Sequence, residues 1–588
     1  MSHPSASEHD RSANAEPLHL RWLGKIGYAE ALDLQQQMVG GTADHLLLLE
    51  HPPVYTLGVR TKPEHLLVDP THYGAEVVEA NRGGDVTFHG PGQLVGYPIL
   101  TVAGRRGGGM ADTVAYVTSV EQTIIDALAE LGLETGRIRG CAGVWVDPDG
   151  PDARKIAAIG VRLVRGRSMH GFALNVDVDM TWFDHIVPCG IADRGVTSLA
   201  AEGIDVAMSE VVEVVGRHAA HHFAPGRPVE RHEVAHRVST SDLAPFTRGE
   251  GPGEAIRPER AGVPVQLGRR LDAAGVADGL DVSTRKPEWM RVKLSTGDDF
   301  RRLSKVSRER GLVTVCEEAG CPNIFECWNE GTATFMLLGE RCTRACGFCL
   351  VDTQKPAAVD HDEPERIAAT IEDLGLDFAV LTMVARDDLD DGGAQIVAET
   401  VRAIHGRTPG VGVEVLISDL KGSADDLATI CDAHPEVLNH NIETVPRLQR
   451  AVRPSAGYAR SLALLARAKQ HGMTTKSGMI VGMGETPDEV RATLVDLRAA
   501  GVDIVTIGQY LRPTTHHLPV HRWWTPDEFD ELKAYGETVL GFAHVESSPL
   551  TRSSHHAAEA AASAGVSASA GVSASAGVRA SAGVSASA

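Results

Sequence analysis

No stretch of this 588-residue chain approaches the roughly 18 consecutive apolar residues that a membrane-crossing helix needs, so no span is expected. The opening residues M-S-H-P-S-A-S-E-H-D-R-S lack the apolar core of an export signal. Basic residues are outnumbered: 56 Lys and Arg against 78 Asp and Glu leave a net charge of −22, which argues against general nucleic-acid binding. Cysteine is also scarce, and the nine present are an odd number that cannot all pair as disulfides. These shortages together lead us to expect a cytoplasmic protein with reduced thiols, without membrane or nucleic-acid partners. With 43% hydrophobic residues, the chain can still bury several domain cores.

Six of the nine cysteines fall between positions 316 and 349. Cys316, Cys321 and Cys327 are spaced C-x4-C-x5-C; Cys342, Cys346 and Cys349 are spaced C-x3-C-x2-C. Disulfides would need an oxidising compartment. Zinc usually takes four ligands in pairs, which triplets fit poorly. Thiolates suit iron–sulfur clusters, and a cubane held by three leaves one iron open to another ligand. The cluster reading fits best, with zinc and structural thiols as the duller alternatives.

The second triplet, followed by an α/β domain, resembles the radical S-adenosylmethionine (SAM) superfamily. That resemblance implies a 4Fe–4S cluster on Cys342, Cys346 and Cys349. Its open iron chelates SAM and its electron generates a 5′-deoxyadenosyl radical. The upstream block C-P-N-I-F-E-C-W, with G-T-A-T-F-M-L-L-G after it, is similar to lipoyl synthases. In that family an auxiliary 4Fe–4S cluster is the sulfur source, here implied on Cys316, Cys321 and Cys327. Its fourth ligand is a serine oxygen from an R-S-S motif. Arg552-Ser553-Ser554 supplies the motif, and register makes Ser554 the ligand; the family usually has Tyr next, where this chain has His555. Later blocks at the expected strand ends nominate Asn441, Glu443 and Lys476 as SAM or substrate contacts. Cys431 matches no block and reads as a core thiol.

The first half carries L-L-L-L-E-H-P-P-V-Y-T-L-G and then N-R-G-G-D-V-T-F-H-G-P-G-Q at 81–93. Together they resemble lipoyl(octanoyl)transferases, of the biotin/lipoate ligase fold. The resemblance extends through R-K-I-A-A-I-G, M-H-G-F-A-L-N, V-P-C-G-I and V-T-S-L, over most of 18–205. It implies Cys189 as a nucleophile that takes octanoate as a thioester, and Lys155 as the group that activates it. The acyl tunnel would be lined by Arg82, Gly83, Gly84, Asp85, Val86, Thr87, Phe88 and His89, by Ala158, Ile159 and Gly160, and by Gly171, Phe172 and Ala173. One departure is Cys141, in G-C-A-G-V-W, where the family usually carries a basic residue. Arg137, Arg139, Arg154, Arg162, Arg165 and Arg167 offer a patch for acidic carriers, or simply a solvated basic face.

The expected architecture is therefore α/β and multidomain. A tail (1–17) precedes a ligase-like α/β domain (18–224), a Pro- and Gly-rich linker (225–270) and a radical SAM partial (β/α)6 barrel (271–556). The S-A-G-V-S-A repeats beyond suggest a disordered tail over 557–588. Strands are expected at 45–50, 378–384, 411–417, 474–483 and 504–509, with helices at 459–470 and 488–500. The implied function is a fusion that octanoylates a lipoyl-domain lysine and then inserts sulfur at C6 and C8. The implied partners are octanoyl-acyl carrier protein, lipoyl domains of 2-oxoacid dehydrogenase E2 subunits or glycine cleavage H protein, and an electron donor such as ferredoxin or flavodoxin. Alternatives are an ATP-using lipoate ligase or an inactive domain in the first half, a biotin-synthase relative in the second, or a non-enzymatic iron–sulfur scaffold.

Overall fold

The run Leu46–Leu49 becomes the centre of a strand buried on both faces, with all four leucines at 0% exposure. Leu46 and Leu48 pack into one core and Leu47 and Leu49 into another. That two-sided burial explains why the run does not alternate with polar residues. The computed structural model describes residues 16–68, 70–104, 111–187, 194–233, 270–271, 273–276, 279–280, 284–290, 323, 332–514 and 516–566.

The first half contributes β1 (Leu18–Lys25), α1 (Tyr28–Val39), β2 (Asp44–Glu50), β3 (Val54–Leu57), β4 (Glu76–Glu79), β5 (Thr87–His89) and β6 (Gln93–Ile99). It continues with α2 (Thr113–Glu130), β7 (Gly136–Ile138), β8 (Cys141–Val146), β9 (Arg154–Val164), β10 (Arg167–Asn175), β11 (Gly195–Val196), α3 (Met208–Phe223) and β12 (Val229–Glu233). The main sheet runs β12-β1-β2-β6-β10-β9-β8-β7, with β11 alongside β9; β4-β3-β5 form a small second sheet. Helices α2 and α3 cover one face of the main sheet and α1 lies on the other. Strand β12 falls inside the stretch expected to be linker. It pairs in parallel with β1, from Leu18↔Val229 to Trp22↔Glu233, so the sheet claims residues that composition alone assigned to a connector.

The second half is a run of parallel strands and helices: β13 (Thr332–Leu337), α4 (Glu363–Leu374), β14 (Phe378–Met383), α5 (Ala394–Arg407), β15 (Gly412–Leu416), α6 (Ala424–Cys431) and β16 (Val437–Asn439). Then come α7 (Tyr458–Gln470), β17 (Thr474–Val481), α8 (Pro487–Ala499), β18 (Ile504–Gln509), α9 (Pro526–Ala534), β19 (His544–Ser548) and α10 (Ala557–Ser563). The strands follow one another in order, β13 to β19, which makes an open, parallel sheet of the expected kind with one strand added at its end. Both α8 and α9 begin with Thr-Pro-Asp-Glu. The threonine hydroxyl and the glutamate cap each other's backbone N–H groups, and proline takes the first turn, where its missing N–H costs nothing.

Helix α10 corrects the expected tail. Its Ala557, Ala560 and Ala561 are buried against Phe378, Val380, Val437 and Ile504 at the base of the sheet. Alanine has the highest helix propensity and is small enough for close packing, so a repeat-like composition need not mean disorder. The rest of that tail lies outside the described residues.

The two halves share a core. Helix α1 is packed between its own sheet and α7, and the same apolar cluster holds Leu34, Met38, Leu47, Leu462 and Leu465. Ion pairs frame it: Arg467 Nη2 lies 2.6 Å from Asp33, and the buried Arg21 donates through Nε to Asp496 at 2.7 Å and through Nη2 to Glu230 at 2.8 Å. Among the described residues no helix is long and apolar enough to cross a membrane.

Candidate active sites

A cavity of about 420 Å³ opens at the C-terminal ends of the parallel strands. It is lined by residues of β13, β14, β15, β17 and β18, the end where open parallel sheets bind ligands. Cys342, Cys346 and Cys349 all reach it, and among the described residues every cysteine is free. Their loop is fixed by its backbone: Cys342 N–H donates to Asp352 O at 2.8 Å, Gly347 N–H to Val452 O at 2.8 Å, and His517 Nε2 to the Cys349 carbonyl at 3.0 Å. Arg344, between the first two cysteines, forks onto Asp387 at 2.7 and 2.8 Å and reaches Asp419 at 2.6 Å. Asp419 is fully buried, and Arg344 holds its carboxyl well below the usual range although burial opposes this. The cysteine loop is thus clamped to the ends of β14 and β15.

Burial pushes the Cys349 thiol up to about 12 and raises Cys342 and Cys346 as well. Three thiols that resist ionisation singly, gathered on one cavity, form a donor set that soft cations would satisfy, and they fit a 4Fe–4S cluster. Ser553 and Ser554 line the same cavity. Cys316, Cys321 and Cys327 lie outside the described residues, but Asn323 of the C-P-N block donates to Leu550 O at 2.8 Å. That bond sets Asn323 against Leu550, two residues before the R-S-S motif.

Two of the three nominated SAM contacts line the cavity. Asn441 donates to Glu443 at 3.1 Å, and Glu443 sits at φ +64°, a left-handed conformation that non-glycine residues adopt at a cost. Gly478 makes room for them, since a Cβ there would stand 2.7 Å from Asn441 Oδ1. Lys476 is the correction. It is fully buried within the sheet, 2.9 Å from Glu414 Oε2, and does not line the cavity. From β17 it reaches across β16 to Glu414 on β15, a pairing the T-K-S-G block cannot reveal. Sequence reasoning missed Arg344, Arg453 and Gln509 because arginine and glutamine carry no distinctive spacing; R-D-D at 386–388 was the available signal for the Arg344 clamp.

A second cavity, of about 390 Å³, lies in the first half. It gathers Arg82, Gly84, Asp85, Thr87 and His89 with Ala158–Gly160 and Gly171–Ala173, which are far apart in sequence. The close approach of loop and strand needs glycine: a Cβ on Gly160 would stand 2.8 Å from the Gly83 carbonyl. Three expected lining residues do not reach it. Gly83 contributes its backbone to β9, donating to Val161 O, and Val86 and Phe88 point instead into a small core with Tyr55 and Phe183. Alternation along β5 sends Thr87 and His89 to the cavity side and the apolar residues away.

His89 is buried and its pKa is lowered well below the ordinary value by that burial. Nδ1–H donates to Gln93 at 2.8 Å and Nε2 faces the Thr56 hydroxyl at 3.3 Å, so both ring nitrogens serve the fold. Arg82 is spent similarly, on Thr56 O at 2.6 Å. Lys155, buried on β9, lines the cavity with its ammonium 4.8 Å from the Trp145 ring centroid; among the described residues no carboxylate bonds it. Cys141 lines the same cavity. Cys189 lies outside the described residues. Both flanks of its segment are pinned at the cavity: Val187 N–H donates to the carbonyl of His65, a lining residue, at 2.8 Å, and Gly195 and Val196 pair with Arg154 and Lys155. Three of the six arginines of the expected patch are engaged by the fold. Arg137 binds Glu121, Arg154 binds Glu202, and the buried Arg167 binds Asp44. Tyr28, His65, Tyr97 and His170 line the cavity without having been singled out.

The lipoyl protein ligase A/B catalytic domain matches residues 27–220, and the radical SAM superfamily matches residues 336–497. A lipoyl synthase of Mycobacterium ulcerans (strain Agy99) is 52% identical over 303 residues, covering 52% of this chain and 93% of that protein. One from Symbiobacterium thermophilum is 57% identical over 288 residues, 48% of this chain and 89% of that protein. Among solved structures, a bi-partite lipoate protein ligase from Thermoplasma acidophilum matches at 15% identity and a TM-score of 0.32, over 38% of this chain and 88% of that one.

Proposed function

Because the chain belongs, through its C-terminal half, to the lipoyl synthase family, and carries a lipoyl protein ligase A/B catalytic domain before it, we propose that it performs two successive steps of protein lipoylation. The first half transfers octanoate from acyl carrier protein to a lipoyl-domain lysine, through a thioester on Cys189. The second inserts two sulfurs, at C6 and C8, into the same octanoyl chain. The lipoyl domains would be those of 2-oxoacid dehydrogenase E2 subunits or glycine cleavage H protein, with a ferredoxin or flavodoxin as electron donor.

The observation that carries this reading is the meeting of Cys342, Cys346 and Cys349 with Ser553 and Ser554 on one cavity. A 4Fe–4S cluster on the three cysteines would supply the electron that cleaves SAM. The sulfur would come from a second cluster, consumed as substrate, on Cys316, Cys321, Cys327 and Ser554. The Asn323–Leu550 bond supports that grouping. Asn441 and Glu443 offer an amide and a carboxylate for polar groups of SAM, and the apolar wall of Met336, Met383 and Met479 suits an alkyl chain. In the first half, Lys155 is buried and pairs with Val196, on one flank of the segment that bears Cys189. An ammonium there lowers the pKa of a neighbouring thiol, and its amine form can take the proton. Burial holds His89 and His170 neutral, so neither adds charge to a cavity that Arg82, Asp85 and Lys155 also line.

Anaerobic reconstitution with octanoyl-acyl carrier protein, apo lipoyl domain, SAM and reductant tests both steps. The expected result is about eight irons per chain, as two cubanes require, and a lipoyl domain that gains octanoyl and then two sulfurs. Octanoylation that required ATP and free acid would replace the transferase with a ligase. About four irons would remove the second cluster, and with it the role of Ser554.

A further inference from the structure

Glu546 on β19 and the consecutive His555 and His556 bring a carboxylate and two imidazoles together, with one ligand atom of each within 4.8 Å of the others. His555 Nδ1 lies 3.6 Å from Glu546 Oε1, and His556 Nδ1 lies 3.6 Å from Oε2. His544 Nε2 is a further 3.5 Å from Oε2. These separations exceed the roughly 2.7–3.2 Å of an N–H···O hydrogen bond. They are ion-pair separations, with the two imidazoles facing opposite oxygens of one carboxylate. His556 holds φ +49°, and its ring stacks on that of His555 with centroids 3.8 Å apart. Both Nδ1 atoms face the Glu546 carboxylate of β19.

We propose that Glu546, His555 and His556 bind a divalent first-row transition ion, of the Zn²⁺ or Fe²⁺ class, at a site apart from the cavity that Cys342, Cys346 and Cys349 line. Two imidazoles and one carboxylate are a donor set for such ions, whereas Ca²⁺ and Mg²⁺ demand oxygen ligands. The site is half-buried, and a solvent molecule would complete the coordination. His555 and His556 directly follow Arg552, Ser553 and Ser554, which line the large cavity, so a bound ion would fasten that segment to β19. The lipoyl synthase pattern places tyrosine where this chain has His555, which makes the site a property of this chain.

The test uses the full chain with its clusters assembled anaerobically and excess metal removed. Zn²⁺ is titrated by calorimetry, and Co²⁺ by its visible absorption. E546Q removes the carboxylate charge. H556G removes an imidazole yet suits the left-handed backbone, so the fold is retained. The native chain should take one ion beyond its cluster iron, with a Co²⁺ spectrum free of thiolate charge transfer. Both variants should bind more than about tenfold more weakly, with cluster absorbance unchanged. No uptake by the native chain would overturn the proposal and leave an ion-paired histidine cluster. Equal uptake in all three proteins would overturn it too, assigning the ion to the thiolates.

Discussion

Replacing Lys476 with methionine should destabilise the second half severely while the cavity keeps its shape. The ammonium stands 2.9 Å from Glu414, whose other oxygen accepts from Asn439 at 2.8 Å, and neither charged side chain is exposed beyond 1%. At an effective dielectric of about 20, a pair at that distance attracts by roughly 6 kcal/mol, but removing two ions from water costs several each. The intact pair is thus worth little against an apolar pair of the same shape. Breaking it leaves Glu414 buried without a counter-charge, at a cost of about 3–5 kcal/mol. At 1.4 kcal/mol per decade, K476M should speed amide exchange in β15 and β17 by about a hundredfold to a few thousandfold. Exchange is read by peptide mass in the full chain. The double variant E414L/K476M should recover most of the protection and bind SAM like the native enzyme. A double variant that folds but binds SAM more than about tenfold more weakly would refute the structural role and return Lys476 to the cofactor site.

R21L leaves Asp496 buried without its partner between the halves, so it should cost about 3–5 kcal/mol and speed proteolysis in the 234–269 connection; unchanged cleavage would mean that the halves do not dock through this pair. Burial depresses His51 and His440 from 6.5 to about 4. Both stay neutral in the fold while the unfolded chain takes up their protons, so their stabilisation is complete above about pH 6.5 and is lost as pH falls toward 4. Each depression corresponds to roughly 3 kcal/mol at most. Circular dichroism against pH should show acid unfolding in that window, with a shallower slope in H51Q. K155M should fold normally and lose octanoyl transfer by about 10²–10⁴-fold in a mass-spectrometric assay, and a loss below tenfold would relieve Lys155 of proton transfer.

Much of the architecture was legible because burial periodicity is local. The expected strand at 504–509 coincides with β18, and the helices at 459–470 and 488–500 agree with α7 and α8 within a residue. The gathering of Cys342, Cys346 and Cys349 on one cavity was legible for a different reason: few chemistries need three thiols at that spacing, so the spacing itself carries information. Less was legible where a residue's direction mattered. Val86 and Phe88 lie in the same block as Thr87 and His89 but face the other side of β5. The arginines of the first half looked like a patch, yet Arg137, Arg154 and Arg167 each have a carboxylate partner remote in sequence.

The order of the halves, their parallel and mixed sheets and the convergence of the second cysteine triplet were determined by the sequence itself, since hydrophobic period and ligand spacing act over a few residues. Only the tertiary structure decided that Lys476 is a buried counter-ion, that β12 joins the main sheet and α10 a folded core, and that Glu546 meets His555 and His556. It alone also joined the halves, through α1 against α7 and Arg21 against Asp496, groups 475 positions apart. Partners at such separations leave no trace in local pattern. They are selected when the chain closes and each buried charge must find its opposite.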